Sequence, residues 1–357
     1  MSSFSKKSIV SIFCVVLLLA IIDAVTRVYF WESKVVLDIV DIQTPAVLDI
    51  KLDSIRRFEG RKIIFLGDSL VYGRAMEEHG IANWRQHTVS AIMRDLIESE
   101  NEEIPTMLIN LAMNGALPAD LEKVSNLIAP LQPDLVVTDL SLRSFSTDFS
   151  DADTKYSRRW LDETKLDPEG IDNSELSSFA NWFERLARKY WFLYKIRDFL
   201  QWRYLNGEPR MYVRNLKAKL NNYLRDVQPD VGSPMETMVL LFKARSRYRN
   251  ISLISTNLQV RAFKRMLGGF NSRKQSAIFF YATENPDLLP KIVDIEAHNR
   301  NLGTLASFVS ELGGITVRYI PPMTTLQSDM FLDHVHLNKD GYRLLAHRLW
   351  SDIKEIM

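Results

Sequence analysis

The sequence has little cysteine, few glycines and prolines, and almost no net charge. Its 357 residues include one cysteine, 14 glycines and 13 prolines, and the formal net charge is +1. A single cysteine excludes a disulfide within the chain and a cysteine-ligated zinc or iron–sulfur site. The balanced charge argues against general nucleic-acid binding, which needs a basic surface. A hydrophobic content of 46% indicates a folded globular protein rather than a disordered or collagen-like chain.

The longest uncharged apolar run lies near the N-terminus, at Ser8 to Ile22, directly after Lys6 and Lys7. Apolar residues continue to Trp31, and a helix over residues 8–31 would be about 36 Å long, enough to cross a bilayer. The basic pair favours a cytoplasmic N-terminus. We therefore expect residues 1–31 to be a single-pass membrane anchor and the catalytic domain to be extracytoplasmic, either periplasmic or at the cell surface. A cleaved signal peptide is the alternative.

Beyond a stem expected at residues 32–60, short apolar runs alternate with helical patterns. The expected strands are 62–66, 107–111, 135–140, 251–254 and 315–320, and the expected helices are 81–98, 118–131, 289–312 and a last one capped by Asn338. This alternation predicts an α/β fold, a three-layer sandwich in which helices flank a mostly parallel sheet. The domain is expected in two parts, residues 61–145 and 233–357.

Residues 146–232 interrupt this alternation and are expected to form a helical insertion. The segment begins with a polar stretch and becomes rich in aromatic and basic side chains, among them Trp182, Arg188 and Trp191. Two interpretations stay open. The aromatics pack on the core of a helical subdomain, or the segment is a surface for lipid headgroups, an acidic polymer or a membrane partner.

Residue types suited to serine catalysis lie at the two ends of the α/β part. The first expected strand runs into Gly67, Asp68 and Ser69, and Asp333 and His336 follow the last. The carboxyl ends of parallel strands are where open α/β sheets bind ligands. A serine there becomes a nucleophile when a histidine, oriented by a carboxylate, takes its proton. Ser69, Asp333 and His336 are therefore the candidate catalytic residues, and Asp68 is expected to order the turn.

Other interpretations of these residues stay open at this point. The glycine and serine are also typical of a plain turn, and a histidine beside a helix start is often a capping or packing residue. Asp333, His334 and His336 are compatible with a metal site, but no further ligand cluster or metalloprotease motif accompanies them. No nucleotide-binding motif is found either, so neither a metal nor a cofactor is expected. Val71 breaks the G-x-S-x-G elbow of α/β-hydrolases.

Three sequence blocks make the chain similar to the SGNH (GDSL) hydrolase superfamily. They are Ile63 to Gly73 (IIFLGDSLVYG), Ile109 to Leu117 (INLAMNGAL) and Phe331 to Ala346 (FLDHVHLNKDGYRLLA), which resemble the first, second and last blocks. The resemblance implies that Ser69 is the nucleophile and that His336 and Asp333 are its base and acid. It also implies an oxyanion hole that includes the backbone N–H groups of Ser69 and Gly115.

The third block departs from the family pattern. The family usually has Gly-x-Asn-Asp after this strand, with the Asn side chain as an oxyanion donor, whereas residues 136–145 read VVTDLSLRSF. Arg143 or Ser144 is a substitute donor, or the hole relies on backbone N–H groups alone. An arginine in this position and an N-terminal anchor are similar to the membrane-bound SGNH proteins associated with O-acylation of cell-surface polymers.

The expected activity is two-step acyl transfer through an acyl-Ser69 intermediate. The acyl group, expected to be acetyl, passes to water in an esterase or to a glycan hydroxyl in an O-acyltransferase. Expected partners are an ester-bearing glycan or lipid, the membrane, and a membrane-bound acyl-transfer protein. The alternatives are a non-catalytic, membrane-tethered partner of a polymer O-acylation complex, suggested by the missing Asn, and a lipid esterase.

Overall fold

A computed structural model describes residues 6–32, 45–100, 104–149, 186–187, 191–194, 244–246, 248 and 250–357. The strands are β1 Arg61–Leu66, β2 Thr106–Asn110, β3 Leu135–Leu140, β4 Ala277–Tyr281 and β5 Val317–Ile320. The helices are α1 Lys6–Glu32, α2 Pro45–Arg57, α3 Ser69–Tyr72, α4 Ala75–Glu78, α5 Val89–Ser99, α6 Pro118–Ile128, α7 Leu258–Ser272, α8 Leu289–Ile292, α9 Ile295–Gly313 and α10 Lys339–Lys354.

The five strands form one sheet in the order β2-β1-β3-β4-β5, and every neighbouring pair is parallel. The chain moves outward from β1 to β2 and then returns past β1 to β3. This reversal is the switch point of a flavodoxin-like sheet, where a crevice forms outside the carboxyl ends of the strands. Ser69 follows β1 directly, so the fold places it at this crevice.

Helices cover both faces of the sheet, because alternate strand residues point to opposite sides. In β1, Ile64 and Leu66 belong to the core shared with α2, α6, α7 and α9. Ile63 and Phe65 belong to the other core, shared with α3, α5 and α10. All four side chains are fully buried. The predicted α/β architecture, a parallel sheet between two helical layers, is confirmed.

One strand was predicted in the wrong place. Residues 251–254 do not form a strand of the sheet. Ile251 makes only an isolated antiparallel bridge to Ser146, and Ile254 is exposed. The fourth strand of the sheet is instead β4, whose five side chains are all buried between β3 and β5. Both segments are short apolar runs, and the identity of the pairing partner, a long-range property, separates them.

Two helices differ from their predicted bounds: one begins later than its apolar spacing indicates, and the other is divided in two. The helix expected from residue 81 begins at Val89, because the Thr88 hydroxyl caps it by accepting the N–H of Ala91 at 3.3 Å. The helix expected at 289–312 is divided into α8 and α9, because Asp294 caps a new helix by accepting the N–H of Ala297 at 3.0 Å.

The second half of the expected stem is packed on the α/β domain. Residues 45–57 form α2, whose Leu48, Leu52 and Ile55 are buried in the core beside the sheet. Burial of three large aliphatic side chains stabilises the fold by several kcal/mol, at about 1.5–3 kcal/mol each. This segment is therefore part of the domain rather than a spacer.

The N-terminal helix α1 has 27 residues and many exposed apolar side chains. Over the residues that the structure describes, no helix combines the length and the apolarity that crossing a membrane requires. The expected stem residues 33–44 and most of the insertion expected at 146–232 lie outside the described residues.

Candidate active site

Ser69 is the first residue of a short helix that begins at the end of β1. Asp68 caps this helix by accepting the N–H of Leu70 on Oδ1 at 2.8 Å. The turn requires glycine at position 67, because a Cβ there would lie 2.5 Å from Asp139 Oδ1 and 2.5 Å from the Val71 side chain. The Gly-Asp-Ser sequence is thus explained by close approach at residue 67 and capping at residue 68.

The structure brings Ser69, His336 and Asp333 together, although 267 positions separate the serine from the histidine. Ser69 Oγ lies 3.0 Å from His336 Nε2, and His336 Nδ1 lies 2.7 Å from Asp333 Oδ2. With the Nδ1 proton directed at Asp333, Nε2 presents its lone pair to the hydroxyl. These are the contacts of a nucleophile, a general base and an orienting acid.

Asp333 is fixed by its own loop and stays ionised. Its Oδ1 accepts the backbone N–H groups of Val335 and His336, both at 2.8 Å. Burial alone would raise the pKa of Asp333, but hydrogen bonds and charge attraction from His336 outweigh it, and the pKa falls well below its usual range. An acid that remains negative can stabilise the imidazolium that forms when His336 takes a proton.

Helix α10 links the part of the site that carries His336 to the part that carries Ser69. Asn338 caps it as predicted, by accepting the N–H groups of Asp340 and Gly341 at 3.0 and 3.1 Å. One turn later, the buried Tyr342 hydroxyl donates to the carbonyl of Leu70 at 2.7 Å. The helix that follows His336 is therefore hydrogen-bonded to the helix that begins with Ser69.

Arg143 lies beside the nucleophile and is paired with a carboxylate of its own, Asp68. Its Nη2 donates to Asp68 Oδ2 at 2.6 Å and lies 3.5 Å from Ser69 Oγ, the outer limit of a hydrogen bond. The arginine and Asp68 are both buried. Burial disfavours the charged guanidinium, but Asp68 outweighs this and raises the pKa of Arg143 above its ordinary value. A permanent positive charge thus lies beside the nucleophile.

The loop of the second block lies beside the same turn. The N–H of Met113 donates to the carbonyl of Gly67 at 2.9 Å, two residues before Ser69. Gly115 has a φ of +69°, in the left-handed region that favours glycine, and an added Cβ would contact nothing within 4 Å. Within the described residues, the backbone N–H groups of Ser69 and Gly115 donate to no protein acceptor. Both are thus available to an oxyanion.

Two polar residues of the site were not singled out from the sequence. Asn110, at the end of β2, accepts the N–H of Ala112 at 2.8 Å and donates to the carbonyl of Val71 at 3.1 Å. Asp139, in β3, accepts the N–H of Asp68 on Oδ1 at 3.1 Å. A carboxyl within a mostly apolar strand, LVVTDL, was the available signal for Asp139, because such a group needs a specific partner.

A small cavity lies beside Asp68 and Asp139. Its volume of about 10 Å³ is at the lower limit for holding one water molecule. Among the described residues, no group of three or more His, Cys, Asp or Glu side chains is arranged to hold a metal ion. The contact between Ser69 Oγ and His336 Nε2 suits nucleophilic attack by Ser69, assisted by His336.

In its triad and in the three-layer fold that carries it, the chain resembles the SGNH hydrolases. No family profile and no curated protein matches the chain in sequence. Solved structures with a similar fold include TesA, at 11% identity and a TM-score of 0.36, with 83% of this chain and 100% of that chain covered. A family two carbohydrate esterase from Clostridium thermocellum in complex with cellohexaose has 10% identity and a TM-score of 0.40, with 83% and 64% covered.

An acetyl xylan esterase, AlAXEase, is also similar, at 12% identity and a TM-score of 0.37, with 82% of this chain and 99% of that chain covered. At TM-scores below 0.5, the assignment of this chain rests on its own residues: the sequence blocks around Ser69 and His336 and the contacts between them.

Proposed function

We propose that the chain is an SGNH-type serine enzyme that cleaves or transfers acyl esters, with acetyl as the acyl group, on extracytoplasmic glycans or surface polymers. The single observation that carries the proposal is the hydrogen-bonded series from Ser69 Oγ through His336 to Asp333, with distances of 3.0 and 2.7 Å. These distances lie in the range over which a base can remove a proton from a nucleophile.

In the first step, His336 Nε2 takes the Ser69 proton while Oγ attacks the ester carbonyl carbon. The carbonyl electron pair moves to oxygen, and the resulting oxyanion accepts hydrogen bonds from the N–H groups of Ser69 and Gly115. Collapse of this intermediate expels the alcohol, which takes the proton from His336, and leaves acyl-Ser69. Water or a sugar hydroxyl then attacks the acyl group by the same route and releases the serine.

Arg143 supplies the side-chain donor that the missing Asn of the third block would have provided. Its Nη2 lies 3.5 Å from Ser69 Oγ, within reach of an oxygen attached to the same carbon as Oγ in the intermediate. A guanidinium also carries a full positive charge, so it offsets the oxyanion charge more strongly than an amide does. Loss of one oxyanion donor typically costs about 3 kcal/mol of transition-state stabilisation.

The proposed location is extracytoplasmic and next to a membrane to which α1 attaches the enzyme. The exposed large apolar side chains of α1 are Phe13, Val15, Val16, Leu17, Leu18, Leu19, Ile21, Ile22, Val25 and Val28. Exposed apolar side chains along a helix are more stable in contact with lipid than with water. Among the charged residues of α1, Asp23 and Arg27 pair with each other at 3.3 Å. A surface-polymer substrate and a membrane-bound acyl-transfer partner are consistent with this location.

An ester panel tests the activity and separates the acyl classes. We expect the purified full-length chain to hydrolyse p-nitrophenyl acetate faster than longer-chain esters. Ser69→Ala should lower kcat by about 10³-fold or more, because the nucleophile is lost. Ser141→Ala is the matched control, since the Ser141 hydroxyl is buried in the same region but has no hydrogen-bond partner in the described structure.

Three outcomes would contradict the proposal. Equal kcat values for the wild type and Ser69→Ala would remove the serine from the mechanism. A strong preference for long acyl chains would favour a lipid esterase. A folded wild-type protein that neither hydrolyses an ester nor transfers an acyl group to a sugar would favour the non-catalytic partner of an acylation complex.

A further inference from the structure

Two carboxyl groups and one guanidinium are buried together beside Ser69, and the triad does not use them. Asp68, Asp139 and Arg143 are 6%, 4% and 8% exposed. The Asp68 carboxylate holds Arg143 at 2.6 Å, and the Asp68 backbone N–H is held by Asp139 Oδ1 at 3.1 Å. Arg143 therefore holds the side chain of Asp68, and Asp139 holds its backbone.

The hydrogen bonds distinguish the two carboxyl groups. Both oxygens of Asp68 accept from donors: Oδ1 from the N–H of Leu70 and Oδ2 from Arg143. Asp139 Oδ1 accepts one backbone N–H, whereas Oδ2 is buried and receives no donor within the described structure. An ionised carboxylate at Asp139 would leave a buried negative charge unmatched, because the one positive charge is already paired with Asp68. A proton on Oδ2 removes that cost.

We propose that Asp139 is a neutral carboxylic acid and acts as a positioning residue. It fixes the turn that carries Ser69, and because it is uncharged it does not compete with Asp68 for the ion pair with Arg143. The inference rests on the proposed function for its catalytic consequence, but not for the protonation state itself. Asp139 touches neither the triad nor the reacting atoms and acts through Asp68.

The electrostatics of the site agree with this assignment. Burial, and next the charge of Asp68, raise the pKa of Asp139 well above its ordinary value. Burial also acts to raise the pKa of Asp68, but Arg143 and hydrogen bonds outweigh it and the pKa of Asp68 falls below its ordinary value. Two tyrosines also interact with this group. Burial and then the two carboxyl groups raise the pKa of Tyr342, and burial and then Glu284 raise the pKa of Tyr248, with a smaller contribution from Asp68. The single proton of the pair therefore resides on Asp139.

Ionisation of Asp139 would change the site in a defined way. A second negative charge would compete with Asp68 for Arg143 and would draw the guanidinium away from Ser69 Oγ. It would also repel the Asp68 carboxylate, which caps α3, the helix that begins with Ser69. We therefore expect kcat to fall as pH rises through the raised pKa of Asp139, while KM changes little.

The pH dependence of stability tests the protonation state without any activity assay. Between the ordinary Asp pKa of about 3.9 and the raised pKa of the folded protein, the folded state binds one proton more than the unfolded state. The stability that Asp139 contributes is thus complete at low pH and is lost as pH rises. Asp139→Asn cannot titrate, so the Tm of the variant minus that of the wild type should rise by roughly 2 °C per pH unit above pH 4, until Asp139 of the folded wild type itself ionises.

Asp134→Asn is the matched control, because Asp134 also accepts a backbone N–H, from Lys62 at 2.7 Å, but is exposed. Its Tm difference from the wild type should not grow with pH. If Asp139→Asn is too unstable to measure, Asp139→Ala serves, since it also abolishes the titration whatever its overall Tm. A Tm difference that stays constant, or that shrinks as pH rises, would overturn the neutral acid.

The catalytic consequence is measured separately on the same proteins. Asp139→Asn should keep kcat within about threefold of the wild type at low pH and lose the fall in kcat with rising pH, whereas Asp139→Ala should lower kcat about tenfold with little change in KM. A wild-type fall in kcat with rising pH that persists in Asp139→Asn would overturn the positioning role. Absence of esterase activity in the wild type would contradict the proposed function, while the Tm series would still decide the protonation of Asp139.

Discussion

At the residue scale, two acid–base pairs converge on one hydroxyl. Ser69 Oγ lies 3.0 Å from His336, which Asp333 orients, and 3.5 Å from Arg143, which is paired with Asp68. The first pair can move a proton, because a neutral imidazole holds a proton on one ring nitrogen and can accept another on the second. The second pair cannot, since the guanidinium stays charged, and it supplies a fixed positive charge instead. This division assigns proton transfer to His336 and charge stabilisation to Arg143.

Replacing Arg143 should reduce turnover more than substrate binding. We expect Arg143→Lys to lower kcat for acetyl esters by about 10- to 100-fold with little change in KM, because the oxyanion is stabilised only in the transition state. Lysine keeps the charge near Asp68, but its ammonium lies on a flexible stem and does not reproduce the position of the planar guanidinium whose Nη2 contacts both Asp68 and Ser69. Steady-state kinetics with the circular dichroism spectrum as a folding check make the measurement.

Arg265→Lys is the control for Arg143→Lys, since Arg265 also pairs with a carboxylate, Glu122 at 2.7 Å, but on the surface. It should leave kcat unchanged. An Arg143→Lys enzyme with a raised KM and an unchanged kcat would show that Arg143 binds substrate instead of stabilising the intermediate.

The sequence alone predicted the site residues that lie next to the ends of strands and helices. Ser69 follows a recognisable buried strand, and Asp333 and His336 precede a helix that Asn338 caps, so the pattern itself indicated where they would meet. The place of Arg143 was open, because its partner Asp68 is 75 positions away. Asp139 was not identified, because its importance comes from burial and from a contact with Asp68 that only the folded sheet creates.

At the element scale, the nucleophile helix α3 is too short to hold its own position. It has four residues, and an isolated helix of that length is not stable in water. Its N-terminus is held by the Asp68 cap, and its Leu70 carbonyl is held by the Tyr342 hydroxyl of α10. The longer helix therefore supplies the rigidity that α3 lacks.

Removal of the Tyr342 hydroxyl should destabilise the protein and disturb the site. We expect Tyr342→Phe to lower the free energy of unfolding by about 1–3 kcal/mol, because the Leu70 carbonyl is left buried without a donor. Urea denaturation measures the change. Tyr319→Phe is the control: the Tyr319 hydroxyl is buried but unpaired within the described structure, so its removal should be neutral or stabilising. Equal losses in both variants would contradict the role given to Tyr342.

The strands show how far sequence patterns determine the elements. The runs at 62–66, 107–111 and 135–140 correspond closely to β1, β2 and β3. The strand expected from residue 315 begins at Val317, because Gly314 to Thr316 form a 3₁₀ turn and Ile315 is fully exposed. Apolar content alone could not separate 251–254 from β4, since only the pairing with β3 and β5 distinguishes them.

At the scale of the whole molecule, the proposal predicts that α1 attaches the chain to a membrane. The chain's only cysteine, Cys14, is exposed on α1 among the apolar side chains. If α1 is inserted in lipid, Cys14 is shielded from water-soluble reagents. This residue is therefore a natural reporter of the environment of the helix.

We expect Cys14 of the full-length protein in membranes to resist a membrane-impermeant maleimide until detergent is added. In a Cys14→Ser background, Glu296→Cys is the control, because the Glu296 side chain is 90% exposed on the surface of the α/β domain. That cysteine should react without detergent when the reagent reaches the extracytoplasmic side. Rapid labelling of Cys14 before detergent, or recovery of the protein in the soluble fraction, would contradict the proposed attachment.

The central claim, that Ser69 is a nucleophile activated by His336, is tested most directly by reaction with a fluorophosphonate followed by mass spectrometry of the peptides. The account predicts one phosphonyl adduct on the Ser69 peptide, absent in Ser69→Ala and formed far more slowly in His336→Ala. A folded wild-type protein that remains unlabelled, or an adduct that persists on another residue when Ser69 is replaced, would contradict it.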